Sequence, residues 1–399
     1  PAISRWRRRS RSALACATST YIGSMRWIVA SASACCADTS APVVKVERPG
    51  TGDDTRSWGP PFVDRPDGAG GIDHSAAYFH ACNRGKHSVI ADFRNPADLD
   101  FVRRLISEAD VVIENFKVGG LAKYGLDYAS LAALNPRLIY ASITGFGQTG
   151  PYRNRAGYDF MIQGMAGIMD LTGDPAGEPQ KIGVAFADIF TGLYAVIGIQ
   201  AALAEREKTG QGQHVDLALF DCLTGVLANQ AMNYFVSGVA PHRMGNAHPN
   251  ITPYATFPVA DGWFILAVGN DGQFRRFCDV IGRPDLGADP AYATNALRLE
   301  RRAELTEAIA AATLRWQRDD LLAALEAATV PAGPINSLSD VFADPQIAAR
   351  GMRIEAEGIP GLRTPITFSS SELALDHASP LLGADDAAIR ARLSQGADS

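Results

Sequence analysis

Apolar residues in the first half of the chain alternate between two spacings. Short β-branched runs predict buried strands at residues 43–46, 88–92, 111–114 and 138–143. Between them, residues 96–108 and 128–134 carry apolar side chains at helical spacing. Strands and helices that alternate at this pitch predict an α/β fold with a doubly wound, Rossmann-like parallel sheet. Ligands of such sheets bind at the carboxyl ends of the strands.

The pattern changes after residue 238. Residues 239–258 are rich in Pro, Asn, Gly and His without an apolar period, which predicts a linker and loop. A strand and three helices are then predicted at residues 263–268, 273–281, 301–313 and 319–328. We therefore predict a large domain over 37–238, a linker and smaller α+β domain over 239–338, and a segment over 339–399 that returns to the large domain.

Asp188 is the candidate nucleophile. It stands between a short apolar run at 184–187, predicted as a strand, and a long apolar helix. The positive end of a helix dipole favours an ionised carboxylate, and the small residues Ala187 and Gly192 leave room for a ligand. The local pattern by itself also suits a residue that only caps the helix.

Composition excludes several function classes. The 399 residues are 47% hydrophobic and 20% charged, which is enough for two compact domains. A net charge of -6 argues against general nucleic-acid binding. No uninterrupted apolar run reaches 18 residues, so no membrane span is predicted. The six cysteines form no C-x-x-C pair, which predicts no metal site and a reducing, cytoplasmic location.

Residues 145–150 read GFGQTG and match the dinucleotide pattern G-x-G-x-x-G. Pro151 follows at once and no apolar helix opens on the third glycine, so the context required for NAD binding is missing. We interpret the segment as a glycine turn near the floor of the active site.

Three cations lie at loop ends. Arg48 closes a predicted strand, and Arg84 and Lys86 precede another. If they converge, they suit a phosphorylated ligand, because Arg binds phosphate through two hydrogen bonds and Lys as a point charge. The alternative is a solvated basic surface, which is common at loop ends.

A set of ordered motifs, taken together, resembles the class III CoA-transferases, the CaiB/BaiF family. Besides the segment around Asp188, the motifs are VKVERPG at 44–50, NRGK at 83–86, IENF at 113–116, NPRLIY at 135–140, TGFGQTGP at 144–151, AGYD at 156–159, KTGQGQ at 208–213 and GNAHP at 245–249. Their order and spacing match the family from about residue 37 onward.

The resemblance implies an acyl-CoA:carboxylate CoA-transferase. It assigns Asp188 as the nucleophile that carries an aspartyl anhydride and then an aspartyl-CoA thioester. The coenzyme A thioester is a substrate, and no cofactor is permanently bound. The CoA contacts implied by the resemblance are Arg48, Lys86, Asn115, Phe116 and Arg155. The partners are an acyl-CoA donor, a carboxylate acceptor and a second subunit in an interlocked homodimer.

Residues 1–36 depart from the family pattern. They are rich in Arg, Ser and Cys and carry no acidic residue, a composition typical of a transit peptide. Family members usually begin with an apolar strand, a loop and a helix, and this segment has about the length of those elements. We therefore interpret it as the product of a reading-frame error. If it is native, the resemblance implies that the first strand and part of the CoA pocket are missing.

Two other functions stay open. An α-methylacyl-CoA racemase would use Asp159 in proton transfer, although Tyr158 stands where that branch has His. A CoA-binding homologue without activity is the other. The donor and the acceptor are not identified by the sequence, and a short dicarboxyl-CoA such as succinyl-CoA is suggested only by the breadth of the family.

Overall fold

The computed structural model of the chain describes residues 19–22 and 41–395. These residues divide into two compact units. The first unit contains the described residues up to Ile168, the segment Lys181–Met232 and the described residues from Gln346 onward. The second contains Met169–Gln180 and Asn233–Pro345.

The elements have the following bounds. The described strands are β1 Ser19–Ile22, β2 Val43–Glu47, β3 Phe62–Pro66, β4 Ile72–Ala76, β5 His87–Ile90, β6 Val111–Glu114, β7 Ile139–Thr144, β8 His214–Ala218, β9 Tyr254–Val259, β10 Gly262–Ala267, β11 Ala332–Pro334, β12 Arg353–Ala356 and β13 Ile359–Leu362. The described helices are α1 Ala77–Asn83, α2 Pro96–Ser107, α3 Tyr128–Leu134, α4 Asp159–Met165, α5 Ile168–Leu171, α6 Phe186–Thr209, α7 Leu219–Val226, α8 Ala228–Ser237, α9 Asp271–Val280, α10 Pro284–Ala288, α11 Asn295–Glu300, α12 Arg302–Thr313, α13 Arg318–Ala327, α14 Leu338–Ala343, α15 Pro345–Ala349 and α16 Asp386–Gln395.

Six strands of the first unit form one parallel sheet in the order β5-β2-β1-β6-β7-β8. The chain winds outward from β1 through β2 to β5, and then in the other direction from β6 to β8. The direction therefore reverses between β1 and β6. In sheets of this kind the crevice at the reversal, at the carboxyl ends of the strands, is where ligands bind. The predicted doubly wound parallel sheet is confirmed.

Strand β1 corrects one expectation. The resemblance implies that residues 1–36 lack the first strand, yet Ser19–Ile22 pairs with both β2 and β6 at the centre of the sheet. The pairing of parallel strands uses backbone amide and carbonyl groups, which any non-proline sequence supplies. The other residues of 1–36 lie outside the described residues, and the interpretation of a reading-frame error stays a prediction.

The sheet is covered on both faces, as a parallel sheet requires. One face packs against α4, α6 and α7, and its buried core includes Ile113, Ile143, Ile162, Ala195 and Leu223. The other face packs against α2, α3 and α16, and its core includes Val44, Val112, Phe101, Leu131 and Leu393. These cores fix the positions of the loops at the carboxyl ends of the strands.

The second unit has an antiparallel sheet in the order β11-β10-β9. Its core contains Phe257, Phe264, Phe274 and Leu305, contributed by the sheet and its helices. Strand β9 lies within the stretch predicted as linker and loop, so that prediction is wrong for residues 254–258. Residues 254–259 form a strand because they pair with β10. Contacts between strands leave only a weak signal in a single sequence.

Helix α6 is the one helix among the described residues that is long and apolar enough to cross a membrane by length and composition. Its residues Ala187, Ala195, Ile199 and Leu203 are buried in the core of the first unit. One face of α6 therefore packs in the core, while Leu193, Tyr194 and Ile197 on the other face are exposed.

Candidate active site

Asp188 lies in the first turn of α6 and is only 6% exposed. The strand predicted immediately before it is wrong, because residues 181–185 form a loop. The backbone of this loop forms hydrogen bonds with the side chain of Gln163 instead of with a neighbouring strand. The side-chain oxygen Oε1 of Gln163 accepts from the amide of Ile182 at 2.9 Å, and its Nε2 donates to the carbonyl of Val184 at 3.4 Å.

Asp159 holds the N-terminus of α6. Its Oδ1 accepts from the amide of Ala187 at 2.8 Å and from the amide of Asp188 at 3.3 Å. Its Oδ2 accepts from Nε2 of Gln163 at 2.7 Å. Ala185 occupies the N-cap position and provides no side-chain hydrogen bond. The amides of this helix end are thus satisfied by a carboxylate from α4, and Asp188 does not occupy the capping position.

The glycine turn predicted near the floor of the active site brings two backbone segments together. A Cβ on Gly157 would lie 2.4 Å from Cα of Gly145, and a Cβ on Gly145 would lie 2.5 Å from Cα of Gly157. No side chain fits between the two segments, which explains the glycines. Residues 151–155 form turns and not the helix that a dinucleotide-binding motif needs after its third glycine. The close approach sets the start of α4, where Asp159 follows two residues after Gly157.

A cavity of about 330 Å³ opens at Asp188. Aromatic side chains, two carboxylates and one lysine supply most of its lining, which consists of Trp58, Tyr78, Tyr158, Asp159, Phe160, Lys181, Gly183, Val184, Ala185 and Asp188. Burial and the negative charge of Asp188 raise the pKa of Tyr78 far above its usual value, so this phenol stays protonated. The site therefore combines a buried carboxylate with an apolar wall and a hydroxyl donor.

A buried network of charges lies beside the carboxyl half of β2. Arg56 donates two hydrogen bonds to Glu47 at 2.8 and 3.0 Å, and Ser88 donates a third at 2.7 Å. Lys45 and Asp53 form a fully buried ion pair. Burial acts to raise the pKa of Glu47, but the hydrogen bond from Arg56 and the nearby positive charges outweigh it, and the pKa is lowered. The sequence prediction took this segment only as a β-branched strand and missed the network.

Arg48 lies just beyond the carboxyl end of β2. Its guanidinium forms an ion pair with Asp54, and its Nε donates to Oγ1 of Thr51 at 2.7 Å. A second cavity, of about 560 Å³, opens at this position. Its lining is polar and charged apart from an aromatic and a leucine side chain, and comprises Arg48, Gly50, Thr51, Asp53, Asp54, Arg56, Ser57, Phe62, Asp73, His74 and Leu382.

Asn115 and Phe116 immediately follow β6, at the reversal of the strand order. The amide of Phe116 donates to Oε2 of Glu114 at 2.7 Å, and its ring lies 6.3 Å from that of Phe93. Arg155 is exposed, with its guanidinium 4.5 Å from the ring of Tyr152. These three residues, like Arg48, lie on loops outside the strands.

Lys86 lies elsewhere. It directly precedes β5, whereas Arg48 directly follows β2, and Val44 of β2 is level with His87 of β5. In a parallel sheet, a residue before a strand and a residue after the neighbouring strand lie at opposite ends of the strands. The predicted convergence of Arg48 and Lys86 in loops at one end of the sheet is therefore wrong. Lys86 is buried, and its Nζ donates to Oδ1 of Asn83 at 3.2 Å.

A polar chain that the sequence did not reveal crosses three strands, from the last residue of β6 through the middle of β7 to the first residue of β8. Glu114 is paired in register with Ser142, and Oγ of Ser142 lies 2.8 Å from Nε2 of His214. Burial raises the pKa of Glu114 to about 7, although hydrogen bonds from Ser142 and the amide of Phe116 act in the opposite direction. This carboxyl group therefore changes charge near neutral pH.

Comparisons with known proteins agree with this geometry. The sequence model of CoA-transferase family III matches residues 24–386. The succinate–glutarate CoA-transferase of Agrobacterium fabrum strain C58 is 56% identical over 362 residues, which cover 90% of each chain. The human succinyl-CoA:glutarate CoA-transferase is 36% identical over 87% of this chain and 78% of its own length. The crystal structure of a CaiB/BaiF family protein from Brucella suis superposes with a TM-score of 0.85 at 60% identity, covering 96% of this chain and all of that one.

These relatives extend over nearly the whole chain, and the family match includes Asp188, Asp159 and both cavities. The resemblance stated from the sequence motifs and the prediction of a CoA-transferase are thereby confirmed. The chain belongs to CoA-transferase family III.

Proposed function

We propose that the enzyme transfers coenzyme A between two carboxylic acids through covalent intermediates on Asp188. The main support for this proposal is that Asp188 is a buried carboxylate in the wall of a cavity. A different carboxylate, Asp159, accepts hydrogen bonds from the amides of the helix turn that contains Asp188. A nucleophile must face the space that the substrate enters, and Asp188 does so.

The reaction proceeds as two symmetrical halves. A carboxylate oxygen of Asp188 attacks the thioester carbon of the donor, and the C–S bond breaks to give a mixed anhydride and CoA thiolate. The thiolate then attacks the carbonyl carbon of Asp188, releasing the donor acid as its carboxylate and leaving an aspartyl-CoA thioester. The acceptor carboxylate attacks that thioester to re-form an anhydride and thiolate. Attack of the thiolate on the acceptor carbonyl gives the new acyl-CoA and frees Asp188, with no net proton transfer.

Short dicarboxylates are the proposed substrates. The named relatives act on succinate and glutarate, and another, from Acetobacter aceti, on acetyl-CoA and oxalate at 37% identity. Succinyl-CoA as donor and glutarate as acceptor are therefore the first pair to test. The cavity at Asp188 is at the small end of the range for ligand pockets, which suits a short acyl group better than a long one.

The CoA moiety is proposed to bind at the carboxyl edge of the parallel sheet. Arg48 supplies a cation there, Asn115 and Phe116 lie at the reversal of strand order, and Arg155 adds a second exposed cation. Lys86 stays a prediction as a CoA contact, and its buried place at the other edge makes a structural role the simpler one.

A homodimer is the proposed assembly. The apolar side chains of α4 and α6 that face outward in the single chain include Phe160, Leu193, Tyr194 and Ile197, and Ile197 is 62% exposed. Large apolar side chains exposed on a helix face are typical of a subunit interface. The interlocked arrangement comes from the resemblance.

Trapping of the covalent intermediate tests the mechanism. Wild-type enzyme incubated with succinyl-CoA should yield a peptide containing Asp188 whose mass is increased by that of CoA less one water, and hydroxylamine should convert it to the hydroxamate. Asp188→Asn should lose the adduct and lower kcat by roughly 10⁴-fold or more, as removal of a nucleophile does. Asp221→Asn is the matched control, since Asp221 also lies in the first turn of a helix. Turnover by the wild type without any adduct at Asp188 would refute the proposal.

A further inference from the structure

Lys181 has a distinctive position in the cavity at Asp188. Among the described residues that line this cavity, Lys181 is the only one with a basic side chain. The rest of the lining is aromatic, aliphatic or acidic, with Asp159 and Asp188 as the two acids. A ligand that carries a negative charge therefore meets a single cation there.

A substrate with two carboxylates needs such a cation. One carboxylate reacts at Asp188, and the distal one enters the same small cavity. Without a positive charge it would face the like charge of Asp159, and also that of Asp188 while Asp188 is unmodified, in surroundings that are partly shielded from water, which is unfavourable. A lysine offers a compact charge on a long, flexible stem, which can follow distal carboxylates at slightly different distances.

The backbone that carries Lys181 is fixed relative to the nucleophile. The next residue, Ile182, donates its amide to Gln163 at 2.9 Å, and Gln163 also donates to Asp159 at 2.7 Å. Asp159 in turn accepts from the amide of Asp188 at 3.3 Å. One chain of hydrogen bonds thus connects the base of Lys181 to the turn of Asp188. The side chain itself is exposed, with Nζ 3.4 Å from the carbonyl of Ile182, a weak contact that a substrate carboxylate can replace.

We propose that Lys181 binds the distal carboxylate of a dicarboxylate substrate and so gives the enzyme its preference for dicarboxylates, an inference that rests on the proposed function of Asp188. Lys181 is then a specificity-determining residue, since it acts on binding of the acceptor and not on the reacting atoms.

The test compares two acceptors of the same chain length, glutarate and monomethyl glutarate, with succinyl-CoA as donor. The wild type should favour glutarate in kcat/KM by about tenfold to a hundredfold, the usual value of a charge-assisted hydrogen bond. In Lys181→Met the KM for glutarate should rise by the same factor, while kcat and the values for monomethyl glutarate change little. Lys181→Arg should keep most of the preference, and Lys181→Glu should weaken glutarate further. Lys208→Met, which removes an exposed lysine at the far end of α6, is the control and should behave as wild type.

A preference for glutarate that is equal in wild type and Lys181→Met would overturn the assignment, since the double comparison isolates the contact between this cation and the distal charge. If the wild type forms no adduct at Asp188, the proposed function fails by itself. Calorimetric binding of glutarate to the wild type and to Lys181→Met then decides the role of Lys181 without turnover, and equal affinities would reject it. Lys181→Gln replaces Lys181→Met if the latter is insoluble.

Discussion

Glu114 is a carboxyl group whose charge is set by the interior of the protein. It is 5% exposed at the end of β6, next to Ser142 and the amide of Phe116. Burial outweighs these two hydrogen-bond donors and raises its pKa from 4.5 to about 7. Because Asn115 and Phe116 follow directly, the charge of Glu114 acts next to the proposed CoA site.

Replacing Glu114 with a residue that does not ionise should change how the free energy of unfolding depends on pH. Since the folded state holds the proton of Glu114 more tightly than the unfolded chain does, its contribution to the free energy of unfolding is full below pH 4.5 and is lost as the pH rises to about 7. The pKa difference corresponds to roughly 3 kcal/mol at most. Glu114→Gln should remove this part of the slope, as measured by urea unfolding from pH 4.5 to 8.

Asp385→Asn is a suitable comparison, since Asp385 is a carboxylate near the start of β5 that contacts His87 and the amide of Ser88. An unchanged slope between pH 4.5 and 7 in Glu114→Gln would show that Glu114 ionises normally.

At the same scale, the sequence could identify Asp188 but not its neighbours. The sequence identifies Asp188 because it stands at the start of a predicted helix beside small residues, and because the flanking motifs resemble those of a known family. The sequence marks Asp159 only through the racemase alternative, because its bond to the amide of Ala187 depends on α4 and α6 meeting in space. Lys181 had no local signal, since an isolated lysine before a loop is common.

Among the elements, the junction between α4 and α6 controls the position of the nucleophile. Asp159 opens α4 and accepts from two first-turn amides of α6. Gln163, one turn further on, contacts Asp159 and the loop that precedes α6. Since Gln163 is fully buried, the contact is shielded from water and holds the two helices in one arrangement.

Substitution of Asp159 tests this junction. Asp159→Ala should lower the free energy of unfolding by about 1–2 kcal/mol, the usual cost of a lost helix cap, and should lower kcat because the turn of Asp188 is displaced. Asp159→Asn keeps an oxygen acceptor and should restore much of both. Stability is measured by denaturant unfolding and kcat by transfer from succinyl-CoA.

Ser337→Ala is the matched control, because it removes the capping box of α14. It should cost comparable stability without lowering kcat. Full loss of kcat in a stable Asp159→Asn enzyme would instead indicate that Asp159 acts as an acid or base, as in the racemase alternative.

For the whole molecule, the outward face of α6 indicates association. Residues Leu193, Tyr194 and Ile197 are exposed on a helix whose opposite side lies in the core. The same helix is long and apolar enough to cross a membrane by length and composition, since it carries apolar side chains on both sides. Apolar side chains on both sides of a helix are typical of burial on both sides, and in the proposed homodimer a second subunit would supply the second surface.

Sedimentation equilibrium should therefore give twice the 42.5 kDa mass of one chain. Ile197→Arg should weaken the dimer or lower the midpoint of thermal unfolding by several degrees, since a charge would be placed in an apolar interface. Leu134→Arg, on an exposed leucine at the end of α3, is the control and should leave the mass unchanged. A wild type that stays monomeric at micromolar concentration would contradict the proposed homodimer.

The sequence by itself determined the doubly wound sheet, most strands and helices of residues 43–143, the family and the candidate nucleophile. These depend on local periodicity and on motifs, which a single chain displays directly. Only the tertiary structure placed Ser19–Ile22 at the centre of the sheet, separated Lys86 from Arg48, and joined Asp159 to the helix of Asp188. The physical reason is that hydrogen bonds, burial and charge act between residues far apart in sequence, and their partners are known only once the chain is folded.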